Sequence, residues 1–315
     1  MAVFTPVEEA DAEPFIRRFG LGPLRALTPI AEGVENTNYR LDADQGRFVL
    51  TLFEGRTNEA ALPFCLGLSA HAANHGLPCA RPLTDDDGQA VGRLNERPAA
   101  ILEWLPGDWK RAPSLTDQTA AGALLARLHA AGADFPLTRP NPVGRDARRA
   151  LFERCQVRAT AMDRPLLDRL EPWIEDRASD AGLALPTGPI HGDYFPDNLL
   201  FEGDAPSGLI DFYFACTDVL AYDLAIALSA WGFDPSGAPL PDAIAAFQSG
   251  YESVRPLSPA ERAALPGLGA VAAVRFTLTR LHDRLFHDSR ALVTPKDPVP
   301  FLRRLDWWAG QAMAA

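Results

Sequence analysis

A chain of 315 residues has room for two lobes, and a composition of 47% apolar and 23% charged residues is that of a folded globular protein, not a disordered one. A formal charge of −11 argues against nucleic acid or an anionic membrane surface as the main partner, because both call for a basic face. The acidic opening MAVFTPVEEADAEPF has neither the basic start nor the unbroken apolar core of a signal peptide, and no apolar run reaches the roughly 18 residues of a membrane span, so a cytoplasmic location is expected.

In chain order, NYRL at 38–41 and RFVLTLF at 47–53 flank the turn-like DADQG and predict a hairpin. A helix is expected over 58–74, with Ala61, Phe64, Cys65 and Leu68 on its apolar face and His75-Gly76 as its stop. DDDGQ reads as a second hairpin turn leading into the strand AAILEWL at 99–105, and PGDWKRAPS after it reads as a linker. Residues 1–104 therefore form one expected lobe, a small sheet with one main helix.

Residues 105–315 form the other, with helices expected at 116–131, 146–162, 164–182, 220–232, 240–253, 259–289 with a break, and 297–313. Two short strands, NLLF and SGLIDF, interrupt them around EGDAP. The expected class is α+β, with no internal repeat. The four cysteines, Cys65, Cys79, Cys155 and Cys216, are scattered without CxxC pairs and read as buried free thiols of a reducing compartment.

The chemistry collects at PIHGDYFPDNLLF and the following GLIDFYFACTDVLAYDLA. Asp193 is followed five residues later by Asn198, and a short hairpin then returns Asp211 at the end of an apolar strand, which brings three oxygen-bearing side chains to one edge. Phosphoryl transfer needs such a set, because its catalysis is chiefly positioning and charge neutralisation. One carboxylate orients the acceptor hydroxyl and takes its proton, a role that suits Asp193. An amide oxygen and a second carboxylate hold Mg²⁺, a role that suits Asn198 and Asp211. His191 reads as a residue that shapes the loop. Asp218 and Asp223 stand near a helix start, where capping or bracing competes with ligand contact.

HGDYFPDN followed by LIDF resembles the aminoglycoside phosphotransferase and choline kinase superfamily, relatives of protein kinases whose catalytic loop reads HGDxxxxN. The resemblance implies a two-lobed, protein-kinase-like fold, with ATP and Mg²⁺ as cofactors. Within the superfamily, AEGVENTNYRLDADQGRFVLTLFE at 31–54, LIDFYFACTDVLAYDLAIALSAW at 209–231, RFTLTRLHDRL at 275–285 and the terminal FLRRL resemble the homoserine kinases of this fold. That narrower resemblance implies phosphorylation of the side-chain hydroxyl of L-homoserine to O-phospho-L-homoserine, a step of threonine biosynthesis.

The resemblance also places Gly33, Asn36, Thr37 and Asn38 over the nucleotide phosphates, and Glu103, Trp104 and Leu105 at the adenine edge. The lysine that kinases of this fold carry on the third strand is absent, and Thr51 stands in its place. Arg56 or Arg47 is a candidate substitute, and Glu59 either takes the place of the usual lysine partner or is a solvent-exposed carboxylate. For an amino-acid substrate, carboxylate and ammonium contacts are expected among Asp197, Tyr213, Asp218, Asp223, Arg275 and Arg280, with Arg284 beside them. The competing readings are a kinase of another small hydroxylated amine, such as choline, hydroxylysine or an aminoglycoside, and an inactive pseudokinase-like binding module.

Overall fold

The computed structural model describes residues 4–30, 36–54, 58–174, 185–287 and 294–314. Gly33, Arg56 and the expected helical stretch 175–182 lie outside them. The amino-terminal part is one antiparallel sheet of strands β1 (Leu24–Pro29), β2 (Thr37–Ala43), β3 (Gly46–Leu52), β4 (Gly92–Leu94) and β5 (Arg97–Glu103), in the order β1-β2-β3-β5-β4. Alternation decides its faces, since successive side chains of a strand point to opposite sides. Tyr39, Leu41, Leu50, Leu52, Ala99 and Ile101 pack against Phe15, Ile16 and Phe19 at helix α1 (Glu9–Arg17). On the opposite face Ala100 meets Leu62 and Leu66 of helix α2 (Leu62–Asn74), and Asn38 and Thr51 stand as direct cross-strand partners.

The hairpin expected around DADQG forms, with Asp42 paired to Arg47 and Ala43 to Gly46. The expected turn at DDDGQ is closed by its own side chain, Asp85 accepting the N–H groups of Asp87 and Gln89 at 3.1 and 2.8 Å. The strand reversal next to it falls elsewhere, at Asn95-Glu96, where both residues take positive φ (48° and 63°) between β4 and β5. The stretch expected as a linker contains a strand, β6 (Asp108–Trp109), which pairs with β8 (Leu199–Glu202). Gly107 makes that approach possible: its φ is +93°, and a Cβ there would sit 2.5 Å from both the Phe201 carbonyl oxygen and the Ser207 hydroxyl.

The helical lobe contains α3 (Leu115–Ala131), α4 (Arg145–Arg158), α5 (Arg164–Ile174), α6 (Leu220–Trp231), α7 (Pro241–Val254), α8 (Pro259–Leu285) and α9 (Val299–Ala314). Helix α8 runs through Pro266 without the expected break, although an interior proline forfeits a backbone bond, and its buried face from Leu265 to Leu281 packs in the main core. Ser114 and Ser258 close capping boxes with Asp117 and Glu261, fixing the starts of α3 and α8. Helices α3 and α7 touch backbone to backbone at Gly122 and Gly250, where a Cβ would run into the Phe247 and Thr119 carbonyls respectively. The main core joins these helices and includes Phe64, Cys65, Leu68 and Ala72 of α2. All four cysteines are free and buried. No helix among the described residues is long and apolar enough to cross a membrane.

Candidate active site

Two short ladders present the candidate catalytic segment. Strand β7 (Thr187–Ile190) pairs with β10 (Cys216–Val219), and β8 pairs with β9 (Ala205–Leu209), so that the loop 191–198 and the segment 210–215 leave adjacent strand ends. The Ile210 N–H donates to the Asn198 carbonyl at 3.1 Å, which puts Asn198 and Asp211 at the same end of the β8–β9 hairpin. Asp211 takes a left-handed conformation (φ 64°, ψ 60°), one that aspartate tolerates better than most residues, before the single turn Phe212–Phe214.

Asp193 and Asn198 meet. The Asn198 amide donates to the Asp193 carbonyl at 2.8 Å and lies 3.4 Å from its carboxylate, which leaves the amide oxygen as the atom available to a cation. Burial pushes the Asp193 carboxyl above its ordinary range, while the Arg275 guanidinium and His191 pull the other way. His191 is fully buried; its Nδ1 accepts the Asp193 N–H at 3.3 Å and its Nε2 faces the Ile210 carbonyl at 3.0 Å. Those partners call for the neutral ring protonated at Nε2, and burial lowers its pKa in agreement.

The loop is braced from several elements. Asp223 of α6 is wholly buried, and its carboxylate accepts the N–H groups of His191 and Gly192 at 2.8 Å each and meets His129 Nε2 at 3.0 Å. Burial pushes that carboxyl up, but the His129 hydrogen bond and the loop amides outweigh it and hold the group below the usual carboxylate range. His129 in turn meets the Tyr251 hydroxyl at 2.8 Å. Arg275 of α8, also buried, donates to the Gly192 carbonyl at 2.6 Å with its guanidinium over the Phe214 and Phe276 rings. Gly192 has no alternative: its φ is +73°, and a Cβ would lie 2.7 Å from the Phe214 carbonyl oxygen.

The other expected site residues divide. Asp197 is exposed and 3.9 Å from Lys296, and Arg280 rests over the Phe301 ring with its guanidinium on the Asp297 carbonyl. Burial lowers the Arg280 pKa, and Asp297, Asp193 and Asp197 are near enough to oppose it. Asp218 accepts from the Asn141 side chain at 2.7 Å and from the Val219 N–H at 2.7 Å. Asp223 commits both carboxylate oxygens to the loop amides and His129, Arg275 holds the Gly192 carbonyl with one guanidinium nitrogen, and Asp223 caps none of the amides of α6 itself. Arg284 pairs with Asp163 away from the loop.

On the sheet side, the Thr51 hydroxyl donates to the Asn38 side chain at 2.8 Å, and the pKa of the nearby Tyr213 phenol is raised by burial. Thr37 donates to Glu54 at 2.7 Å, and the Glu54 N–H donates to Asn36 at 3.2 Å, so this polar row is tied within itself. Arg47 pairs with Asp42 and covers Trp104 at 5.5 Å, while Glu59 pairs with Arg93 at the surface, as a solvent-exposed carboxylate would. Glu103 ends β5 and its carboxylate receives the Arg81 N–H, and Leu105 packs on Gly208 of β9. Sequence reading passed over His129, Asn141 and Lys296; only Lys296 carried a signal, as one of two lysines in the chain.

Residues 26–257 match the phosphotransferase enzyme family, and the chain belongs to that family. Among curated relatives it is 48% identical to a homoserine kinase of Methylobacterium radiotolerans, over 97% of this chain and 95% of that protein. It is 46% identical to a homoserine kinase of Brucella canis, over 97% of this chain and 94% of the relative. Among solved structures it resembles an amicoumacin kinase in complex with AMP-PNP, Ca²⁺ and Ami (TM-score 0.72, 14% identity, 96% and 94% of the two chains). It also resembles choline kinase from Cryptosporidium parvum (TM-score 0.65, 13% identity, 92% and 89%). The fold is thus the two-lobed, protein-kinase-like one that the sequence implied.

Proposed function

We infer that this chain transfers the γ-phosphoryl group of ATP to the side-chain hydroxyl of L-homoserine, giving O-phospho-L-homoserine for threonine synthesis in the cytoplasm. The observation that carries the substrate is likeness to homoserine kinases over 97% of the chain. The reaction type rests in addition on the meeting of Asp193 and Asn198 beside Asp211.

In this reading residues 1–104 form the nucleotide lobe and 105–315 the substrate lobe, with ATP between them. Asn36, Thr37 and Asn38, with Gly33, lie along the phosphates, and main-chain groups of Glu103 to Leu105 meet the adenine edge. Asp193 orients the homoserine hydroxyl and takes its proton as the oxygen bonds to phosphorus and ADP departs. Asn198 and Asp211 would hold Mg²⁺, whose preference for oxygen donors their amide and carboxylate oxygens fit. When bound, the ion neutralises phosphate charge.

Arg280 and Lys296, beside Asp193 and Asp197 in a chain of net charge −11, offer the substrate carboxylate its cations, and Asp197 offers its ammonium an anion. Arg275, Asp223, Asp218 and Tyr213 act by positioning the loop and its neighbouring segments rather than by touching substrate.

An ADP-release screen over homoserine, threonine, serine, choline, hydroxylysine and kanamycin tests the reading. Homoserine is expected to give the highest kcat/KM; preference for another acceptor would overturn the substrate and leave the reaction type standing. Asp211→Ala is expected to weaken nucleotide binding with Mg²⁺ and to leave the Mg²⁺-free binding unchanged, measured by titration calorimetry.

A further inference from the structure

Helix α2 carries His71 and His75 one turn apart, so both imidazoles project from the same face, with ring centroids 4.4 Å apart. The short turn Gly132–Asp134 that follows α3 brings Asp134 across to them from the helical lobe. Asp134 Oδ1 lies 3.0 Å from His71 Nε2 and 3.7 Å from His75 Nε2, and the Ala131 carbonyl oxygen is 2.8 Å from His71 Nε2.

One donor atom from each of the three side chains lies within 4.8 Å of the others. An ion with bonds of about 2.0–2.2 Å to nitrogen and oxygen holds its ligand atoms roughly 3–3.5 Å apart, which the 3.0 and 3.7 Å from Asp134 Oδ1 to the two imidazoles bracket. The His75 tautomer is also arranged for it. His75 Nδ1 faces the His71 carbonyl at 2.9 Å and so carries the proton there, which leaves the Nε2 lone pair directed outward. The His71, His75 and Asp134 side chains are 18%, 39% and 72% exposed, leaving an ion access and room for water in its remaining positions.

We propose that His71, His75 and Asp134 form a binding site for a transition-metal ion of the Zn²⁺ class, separate from the phosphoryl-transfer centre, that clasps α2 to the end of α3. Two imidazoles with one carboxylate suit Zn²⁺, Ni²⁺ or Co²⁺ and not Mg²⁺ or Ca²⁺. On loading, the neutral His71 ring moves its proton through solvent from Nε2 to Nδ1, and the metal–nitrogen bond replaces the contact with the Ala131 carbonyl. The thiols offer no competing surface site, since all four are buried.

The test is calorimetric titration of ZnCl₂ into the chelator-stripped, full-length protein without nucleotide. One saturable equivalent is expected in the wild type, weakened at least about 10-fold in His75→Gln and in Asp134→Asn. In Asp211→Asn the affinity should be unchanged. Zinc should also raise the midpoint of heat unfolding of the wild type and not of His75→Gln. Both substituted ligand side chains are exposed, so both variants should fold. The proposal is overturned if zinc uptake does not saturate, if His75→Gln and Asp134→Asn bind as the wild type does, or if Asp211→Asn alone loses the site.

Discussion

Replacing Asp223 with asparagine tests how the catalytic loop is held. The carboxylate accepts Gly192 N–H on Oδ1 and His191 N–H and His129 on Oδ2, all within 2.8–3.0 Å and without access to water. Asparagine has one acceptor oxygen. Its best orientation keeps the His191 and His129 partners and turns an NH₂ group against the Gly192 N–H. That buried donor then goes unsatisfied at a cost of about 1–3 kcal/mol, and the two surviving bonds lose charge assistance worth about 1 kcal/mol each.

Stability should fall by about 3–5 kcal/mol, a large part of the roughly 5–15 kcal/mol typical of a folded protein, yet short of unfolding it. The disturbed backbone carries Asp193, and a misplacement of about 1 Å in a reacting group can cost about 10²-fold. Urea unfolding at pH 7 and kcat from coupled ADP release give the two readouts. A stability loss under about 1 kcal/mol, with kcat within about 3-fold of wild type, would refute the claim that this carboxylate sets the loop.

Asp193→Asn should lower kcat by about 10²–10⁴-fold while ATP still binds. Because burial raises the folded-state pKa of Asp193, ionising it opposes folding. The same variant should therefore gain stability relative to wild type as pH rises through that pKa, and show no gain below the unfolded carboxyl's range; denaturant melts across pH check the sign. Arg275→Gln removes the charge that most favours the ionised base, so the acid limb of the kcat/KM profile should move to higher pH; an unmoved limb would separate Arg275 from Asp193. Gly122→Ala should destabilise by about 1–3 kcal/mol in thermal melts, since its methyl group meets the Phe247 carbonyl and overpacking outweighs the roughly 1 kcal/mol that alanine gains in a helix.

The sequence made the local features visible. The β2–β3 hairpin follows from alternation around DADQG, and α2, α3, α6 and α7 follow from long apolar stretches with serine, proline or glycine at their ends. Asp193, Asn198 and Asp211 could be grouped because one loop and one hairpin hold all three. Hidden from such reading were elements whose reason lies elsewhere in the chain. Strand β1 is largely exposed and shows no alternation, α1 has Pro14 in its middle, and β7 and β10 are four-residue segments that exist only as each other's partner.

The site's supports were invisible for the same reason. His129 meets Asp223 across 94 positions and Arg275 meets Gly192 across 83, separations that no motif spans. Asp223 looked like a helix-start residue because it is one. Only the folded chain shows its carboxylate turned back to the catalytic loop.

The main core takes in Phe64, Cys65, Leu68 and Ala72 of α2, whereas the cluster between α2 and the sheet has only Phe53, Leu62, Leu66 and Ala100 as its buried members. Helix α2, which follows the β3 strand of the amino-terminal sheet, is thereby anchored to the core of the helical lobe. If ATP enters between the lobes as proposed, the thin layer beneath the sheet is where sliding would meet least resistance, with the strands expected to shift over α2. Hydrogen exchange that quickens along β3 and β5 but not along α2 would be the signature of that motion.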